Sequence, residues 1–170
     1  MLAAVDATLA ASRRCFFVTP GLDGGASARL VEPFDKEPGY TFWILTSASS
    51  RKVAELRRGD LRMSLAFQDD GETAFVTLVG TAELIVGRGR LDARWKPSFE
   101  QYFENGLDDP DAMYIRFTSE RIELWNGARG ITPERVGTRS AILVREEDRW
   151  TVLCPGSAIA DAARPQSDNS

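Results

Sequence analysis

The residue types best suited to chemistry lie in one short stretch, Thr46-Ser47-Ala48-Ser49-Ser50-Arg51-Lys52, with Arg29 as an outlying cation. Hydroxyls, backbone N–H groups at a helix start and two adjacent cations are what a phosphate dianion needs. A helix N-terminus presents unsatisfied donors and a partial positive charge. An arginine from a neighbouring strand would add a bidentate, charge-assisted contact. The same residues also read as an ordinary N-cap ahead of a solvated helix, and on local sequence alone that is the simpler account. The stretch is not a P-loop, and Gly87-Arg88-Gly89-Arg90 has the wrong spacing for that motif or for a dinucleotide fingerprint.

Composition narrows what else is available. The chain has 170 residues and no histidine, which removes Ser-His and Cys-His nucleophile activation, histidine-ligated zinc and a proximal-His haem. No catalytic side chain can be named, and reactivity must come from carboxylates, hydroxyls, cations or a borrowed cofactor. Cys15 and Cys154 stand far apart with no CxxC pair, so neither a disulfide framework nor a metal site is expected. The acidic run Asp108-Asp109-Pro110-Asp111 lacks calcium-loop spacing and reads as a solvated loop. With 21 basic residues against 25 acidic ones, the net charge of −4 argues against broad affinity for nucleic acid. Arg51, Lys52, Arg57, Arg58 and Arg62 make a basic patch, but Glu55 and Asp60 interrupt it. The opening MLAAVDATLA lacks a basic n-region, and no apolar run approaches a membrane span. The expectation is a cytoplasmic protein with no membrane partner.

Placing the serine-lysine stretch requires a strand before it and a helix after it. Residues 40–46 are aromatic and β-branched, a strand pattern. Residues 52–58 follow as a short helix closed by Gly59. Around this pair the chain alternates between turns and strands. Leu2, Val5 and Leu9 recur at helical spacing over residues 1–11. Residues 15–19 and 27–31 form a hairpin about Asp23-Gly24, and residues 61–67 and 73–86 are further strands with Gly80 as a bulge. Leu91, Trp95, Phe99 and Phe103 step by four, which predicts one or two helices interrupted by Pro97. That aromatic run, with Tyr102, reads either as a lid over a flat ligand or as a helix packed on the core, and its period favours packing. Residues 113–117 and 121–125 alternate as strands, Asn126-Gly127 turns, and residues 140–144 and 149–153 form a last hairpin. The globular region is one domain, 1–154, long enough to bury roughly 70% of its unfolded surface, and residues 155–170 read as a polar tail. Close-spaced antiparallel strands with helices only as inserts make a mainly β, small-barrel architecture.

Over residues 12–135 the chain resembles the pyridoxamine 5′-phosphate oxidase-related superfamily of FMN-binding split barrels, in its general stress protein branch. Four segments carry the resemblance in order. They are the Gly-rich turn leading to Ser27-Ala28-Arg29-Leu30-Val31; Trp43-Ile44-Leu45-Thr46 leading to Ser50-Arg51-Lys52; Val76-Thr77-Leu78-Val79-Gly80-Thr81-Ala82-Glu83; and Asp108-Asp109-Pro110 leading to Ile122-Glu123-Leu124-Trp125. The ordered set turns the reading of the serine-lysine stretch from capped helix to phosphate cradle.

The resemblance implies a six-stranded antiparallel split β-barrel holding FMN. It implies that Arg29, Ser50, Arg51 and Lys52 hold the cofactor phosphate and that Leu30, Val31, Leu45 and Thr46 lie along the flavin ring. Trp125 matches a family tryptophan near the flavin, although a strand tryptophan is as readily core or interface. A homodimer is implied too, with each flavin completed by the partner chain. After that tryptophan the vitamin B6 oxidase places an arginine and then a histidine to grip substrate phosphate. Here Asn126 to Arg135 follow with no histidine, and neither Arg129 nor Arg135 reproduces the pattern, so oxidation of pyridoxamine phosphate is not expected. The functional expectation is a flavin-dependent oxidoreductase drawing on a donor such as NAD(P)H. A non-catalytic FMN-binding stress protein or sensor, and a barrel binding F420 or haem, are the alternatives.

Overall fold

The computed structural model describes residues 1–58, 61–86, 94–131 and 140–153. Gly59, Asp60, the Gly87–Arg90 run, Leu91, Arg135, Cys154 and the expected tail 155–170 lie outside these residues. Two α-helices, α1 (Leu2–Ala11) and α2 (Arg51–Arg58), accompany eight strands. The strands are β1 (Cys15–Pro20), β2 (Ala26–Val31), β3 (Thr41–Ser47), β4 (Arg62–Asp69), β5 (Ala74–Ile85), β6 (Ala112–Asn126), β7 (Ala141–Glu146) and β8 (Arg149–Leu153).

All pairings are antiparallel and join one open sheet in the order β2-β1-β4-β5-β6-β7-β8, with β3 added on β6. The opening hairpin turns where expected: Gly24 takes φ +85, and Asp23 Oδ1 accepts from Gly25 N at 3.1 Å. The sheet is mainly β, open and split, as the resemblance implies, though with eight strands among the described residues rather than six.

The split is made by β6. One edge of this strand pairs with β5 along its length, while the other is shared, β3 taking Ala112 to Thr118 and β7 taking Arg121 to Leu124. Two strands were expected over this stretch, but the chain runs through Thr118-Ser119-Glu120 without a break. The irregularity lies on the neighbouring strand, where the β5 register shifts between Val79 and Gly80. A Cβ on Gly80 would sit 2.0 Å from the Thr118 carbonyl oxygen, so close backbone approach demands glycine there.

Two apolar clusters follow from strand alternation. Phe42 and Ile44 of β3 and Ile115 and Phe117 of β6 point into the main core with Phe17, Leu65, Val76, Leu78 and Ile122. The intervening Trp43, Ala112 and Tyr114 point the opposite way, into a second cluster with Ile85 and Phe103. That cluster is roofed by residues 95–103, where the expected helix is instead a single 3₁₀ turn, Pro97–Phe99. Proline has no N–H to continue a helix but suits its first position, so Pro97 opens the turn rather than interrupting one. α1 buries Val5 and Leu9 against the sheet, while Leu2 stays half exposed.

Candidate functional site

The order strand, serine loop, helix places the chemistry-bearing residues at one end of β3. Leu45, Thr46 and Ser47 pair with Tyr114, Met113 and Ala112 at the start of β6. The chain then turns through Ala48-Ser49-Ser50 into α2, with the Ser50 carbonyl accepting from Val53 and Ala54 N–H. The loop is pinned by Asp111, which was expected to be part of a solvated acidic loop. Its carboxylate accepts from Ser47 Oγ, from Ser49 N–H at 2.8 Å and from Ser49 Oγ at 3.2 Å, while its carbonyl accepts from Ala48 N–H at 2.7 Å. These bonds, the one from Ser47 foremost, hold the Asp111 carboxyl below its ordinary range.

Beside this loop lies a cavity of about 540 Å³ lined by Leu45, Thr46, Ser47, Lys52, Glu32, Pro33 and Phe34 on one side and by Lys96, Ser98, Phe99, Gln101, Tyr102 and Phe103 from the roof segment. Lys52 Nζ donates to Thr46 Oγ1 at 2.7 Å, and Ser50 Oγ stands 3.3 Å from the same hydroxyl. Burial, and next the nearby Arg29 charge, lower the Lys52 pKa. Lys96 Nζ lies 5.0 Å from the Phe34 ring centroid, and Phe34 meets Phe99 edge-on at 5.9 Å. Under this wall, Tyr114 is fully buried with its hydroxyl unpartnered among the described residues, and burial pushes its pKa up to about 12. The aromatic run packs, as its period favours, and its outer residue lines the cavity. Trp95 and Phe103 pack into the second cluster, while Tyr102, 71% exposed, lines the cavity.

The other expected site residues are distributed differently. The Arg29 guanidinium pairs with the Glu55 carboxylate, donates to Thr19 Oγ1 at 2.6 Å and lies over Phe17. Thr19 in turn donates to Glu55 Oε2 at 2.6 Å. Arg51 reaches the other carboxylate oxygen at 3.4 Å with its side chain largely in solvent. Burial opposes ionisation of Glu55, but hydrogen bonds from Thr19, Ser27 and Arg29, with the Arg29 charge, outweigh it and hold this carboxyl below its ordinary range. Val31 is half-buried against the main core. Leu30 is 58% exposed and paired with the equally exposed Phe16, on the outer face of the sheet.

Trp125 lies twelve residues along β6 from Met113, the partner of Thr46, a separation of up to about 40 Å at strand rise. Its neighbours include Phe75 and Gly127. Arg129 is held near this far end by Glu72, which accepts from its Nε at 2.7 Å and Nη2 at 2.8 Å. One chain therefore gathers Leu45, Thr46, Ser50 and Lys52 at the cavity and leaves Trp125 and Arg129 at the other end of the sheet.

Sequence reasoning did not select Lys96, Phe34, Glu32 or Gln101 for the site. They lie outside the serine-lysine stretch, and only the roof over β3 brings them to it. Cys15 is buried, its thiol pushed up to about 12, and is no nucleophile. Among the described residues no group of three or more metal-ligating side chains occurs and no helix is long and apolar enough to cross a membrane.

The fold and cavity together define an open, split antiparallel barrel with a cation-ended, aromatic-walled pocket at one end of its central strands. The chain belongs to the family described as pyridoxamine 5′-phosphate oxidase like, whose profile matches residues 2–146. Its structural relatives include a protein of Clostridium acetobutylicum related to general stress protein 26 of B. subtilis, of the pyridoxinephosphate oxidase family. The two are 27% identical with a TM-score of 0.66, over 75% of this chain and 89% of that one. A pyridoxamine 5′-phosphate oxidase-related, FMN binding protein of Nostoc punctiforme shares the fold at 14% identity and TM-score 0.60, over 91% and 95% of the two chains. So does a general stress FMN/FAD binding protein of Xanthomonas citri, at 24% identity and TM-score 0.57, over 68% and 80%. No curated protein matches the sequence.

Proposed function

We propose that this chain is an FMN-binding flavoprotein and that the cavity beside the serine loop receives the cofactor. The observation that carries this reading is the pairing, in one cavity of about 540 Å³, of an ammonium and hydroxyl end at Lys52, Thr46 and Ser47 with an aromatic wall at Phe34, Phe99 and Tyr102. That combination fits a phosphorylated planar ring: charge and donors for the phosphate, flat apolar surface for the ring. Leu45 and Thr46 edge the ring site, Ser50 and Lys52 stand at its phosphate end with Arg29 and Arg51 beside them on β2 and α2, and Leu30 and Val31 are not on the cavity lining. FMN supplies electron or hydride transfer, while the protein orients the ring and limits access to one face.

The reaction class this supports is oxidoreduction with a donor such as NAD(P)H, in the cytoplasm. Pyridoxamine phosphate is not the proposed substrate, because the chain has no histidine and Arg129 is bound to Glu72. The second reading, binding without turnover, is favoured by the state of Glu32, the one acidic residue on this cavity's lining among the described residues. Glu32 is ion-paired to Arg13 at 3.5 Å and Arg14 at 3.4 Å, leaving it poorly placed as a proton carrier.

Mass spectrometry of the ligand released from purified protein tests the cofactor. FMN supports the reading, whereas FAD, F420 or haem replaces it. Stopped-flow reduction by NADH or NADPH then separates the roles: a flavin that is reduced and reoxidised turns over, and one that stays oxidised with every donor is only bound.

The assembly proposed is a homodimer. Leu30 and Phe16 form an exposed apolar pair on the outer face, and Phe75, 45% exposed, sits beside Trp125 on the same sheet. A second copy covering this face would bury apolar surface otherwise left in water. The distance between Trp125 and Thr46 within one chain favours a place for Trp125 at the partner's flavin site.

A further inference from the structure

Arginine's flat guanidinium can lie on an aromatic face and still donate in its own plane to a carboxylate, which a lysine ammonium cannot do. Arg94 does both. Its guanidinium lies over the Trp43 ring, 3.8 Å from the centroid, and its Nη2 pairs with the Glu37 carboxylate. The buried Trp43 indole N–H faces the same carboxylate without completing a hydrogen bond of full geometry. Its dipole and the Arg94 guanidinium hold the Glu37 carboxyl below its ordinary range.

These contacts join three segments that are separate in the chain. Glu37 precedes β3 and donates its N–H to the Thr41 carbonyl at 2.8 Å, Trp43 lies within β3, and Arg94 stands immediately before the roof segment 95–103. At the other end of the roof Phe103 is buried in the second cluster, and Trp95 meets Phe99 and Phe103 at 5.6 and 6.0 Å. Between these anchors the backbone makes a three-residue 3₁₀ turn, whose own bonds are few and of poorer geometry than an α-helix's. Where that turn stands is therefore set by its ends. Phe99 and Tyr102 from this stretch wall the cavity, whereas Arg94 is not on its lining.

We propose that Arg94 is a positioning residue for the cavity. Clamped between Trp43 and Glu37, it fixes the start of the roof so that Phe99 and Tyr102 present a preformed wall to the ligand's ring. The inference rests on the FMN reading and adds to it a residue that touches neither the phosphate nor the ring.

The test compares FMN with riboflavin, which has the same ring and no phosphate, by quenching of flavin fluorescence on full-length protein. A residue that places the ring wall must affect both flavins alike. Arg94→Gln is expected to weaken each about tenfold, with the ratio of their dissociation constants within about twofold of the wild type. Arg94→Lys keeps the charge but cannot stack and pair at once, and Glu37→Gln keeps the stack but removes the ion pair; each is expected to cost about threefold. Because both residues act through one clasp, Arg94→Gln combined with Glu37→Gln is expected to bind no more weakly than Arg94→Gln alone. Riboflavin bound at saturation to Arg94→Gln protein is expected to emit more strongly than in the wild type, because a loosened aromatic wall quenches it less. A role in stability alone would leave that emission unchanged and overturn the proposal.

A loss confined to FMN would make Arg94 a phosphate ligand and overturn the assignment. So would a double variant in which the two losses multiply. The Arg94 and Glu37 side chains are 26% and 39% exposed, so neither substitution empties the core. Wild-type protein that binds neither flavin would overturn the cofactor reading as well, whereas bound flavin indifferent to Arg94→Gln would overturn this proposal alone.

Discussion

Glu55 organises the cationic end of the pocket. It is buried, accepts from Thr19, pairs with Arg29 and reaches Arg51. Removing one member of such a pair strands the other, so Glu55→Ala should cost about 3 kcal/mol in urea unfolding, whereas Glu55→Gln together with Arg29→Gln should cost much less. The pH dependence follows from the direction of its shift. A carboxyl whose pKa is lower in the folded state contributes stability above its unfolded pKa, and that contribution disappears as pH falls through the folded value. Thermal midpoints taken from pH 7 downward should therefore drop below the ordinary carboxylate range, and the Glu55→Gln protein should show a shallower drop. Lys52 behaves in the opposite sense. Its pKa is lowered by burial, so its charge is lost at a lower pH than an ordinary lysine's. The preference for FMN over riboflavin should weaken on the alkaline side while Lys52→Gln protein shows no such trend.

At the scale of elements, the site depends on two connections made by β6 and the loop before it. Asp111, next to the first residue of β6, ties down the serine loop through Ser47, Ala48 and Ser49. Asp111→Ala should release that loop and the start of α2, weakening FMN several-fold with a smaller effect on riboflavin, measurable in the same fluorescence titration. The other connection is the bulge. Because a Cβ on Gly80 would meet the Thr118 carbonyl oxygen at 2.0 Å, Gly80→Val must force β5 and β6 apart. A loss of about 2 kcal/mol or more in chemical denaturation is expected, in the range of overpacking penalties. A stability unchanged within 0.5 kcal/mol, roughly the spread of neutral surface changes, would mean the bulge relaxes freely.

For the whole molecule, the outer face of the sheet and the position of Trp125 both bear on assembly. Light scattering after size exclusion should give about twice the 18.8 kDa chain mass. Phe16→Glu, which places a charge beside Leu30 on that face, should shift the protein toward the monomer. A dimer unaffected by Phe16→Glu would move the interface to another surface.

Much of this architecture was legible in local sequence. Both α-helices, the Asp23-Gly24 hairpin, the glycine bulge and the closing hairpin are set by side-chain period and by turn residues acting on their immediate neighbours. The strand, serine loop and helix that carry Thr46, Ser50 and Lys52 are likewise consecutive in the chain, and so is the ordered pattern that marks the family. What happens between distant residues leaves no such local trace. Thr118-Ser119-Glu120 looks like an interruption but continues β6, because β5 absorbs the irregularity at Gly80. Residues 95–103 have a helical period yet fold as a 3₁₀ turn, because burial against β3 and β6 satisfies the aromatics without a helix. The sequence by itself determined that cations and hydroxyls would cluster at the start of α2. Only the tertiary structure decided which of them face the cavity, since Arg29 and Glu55 are 26 residues apart and Lys96 comes from another segment altogether. Charges choose partners by distance in space and by shared burial, and neither quantity is written in residue order.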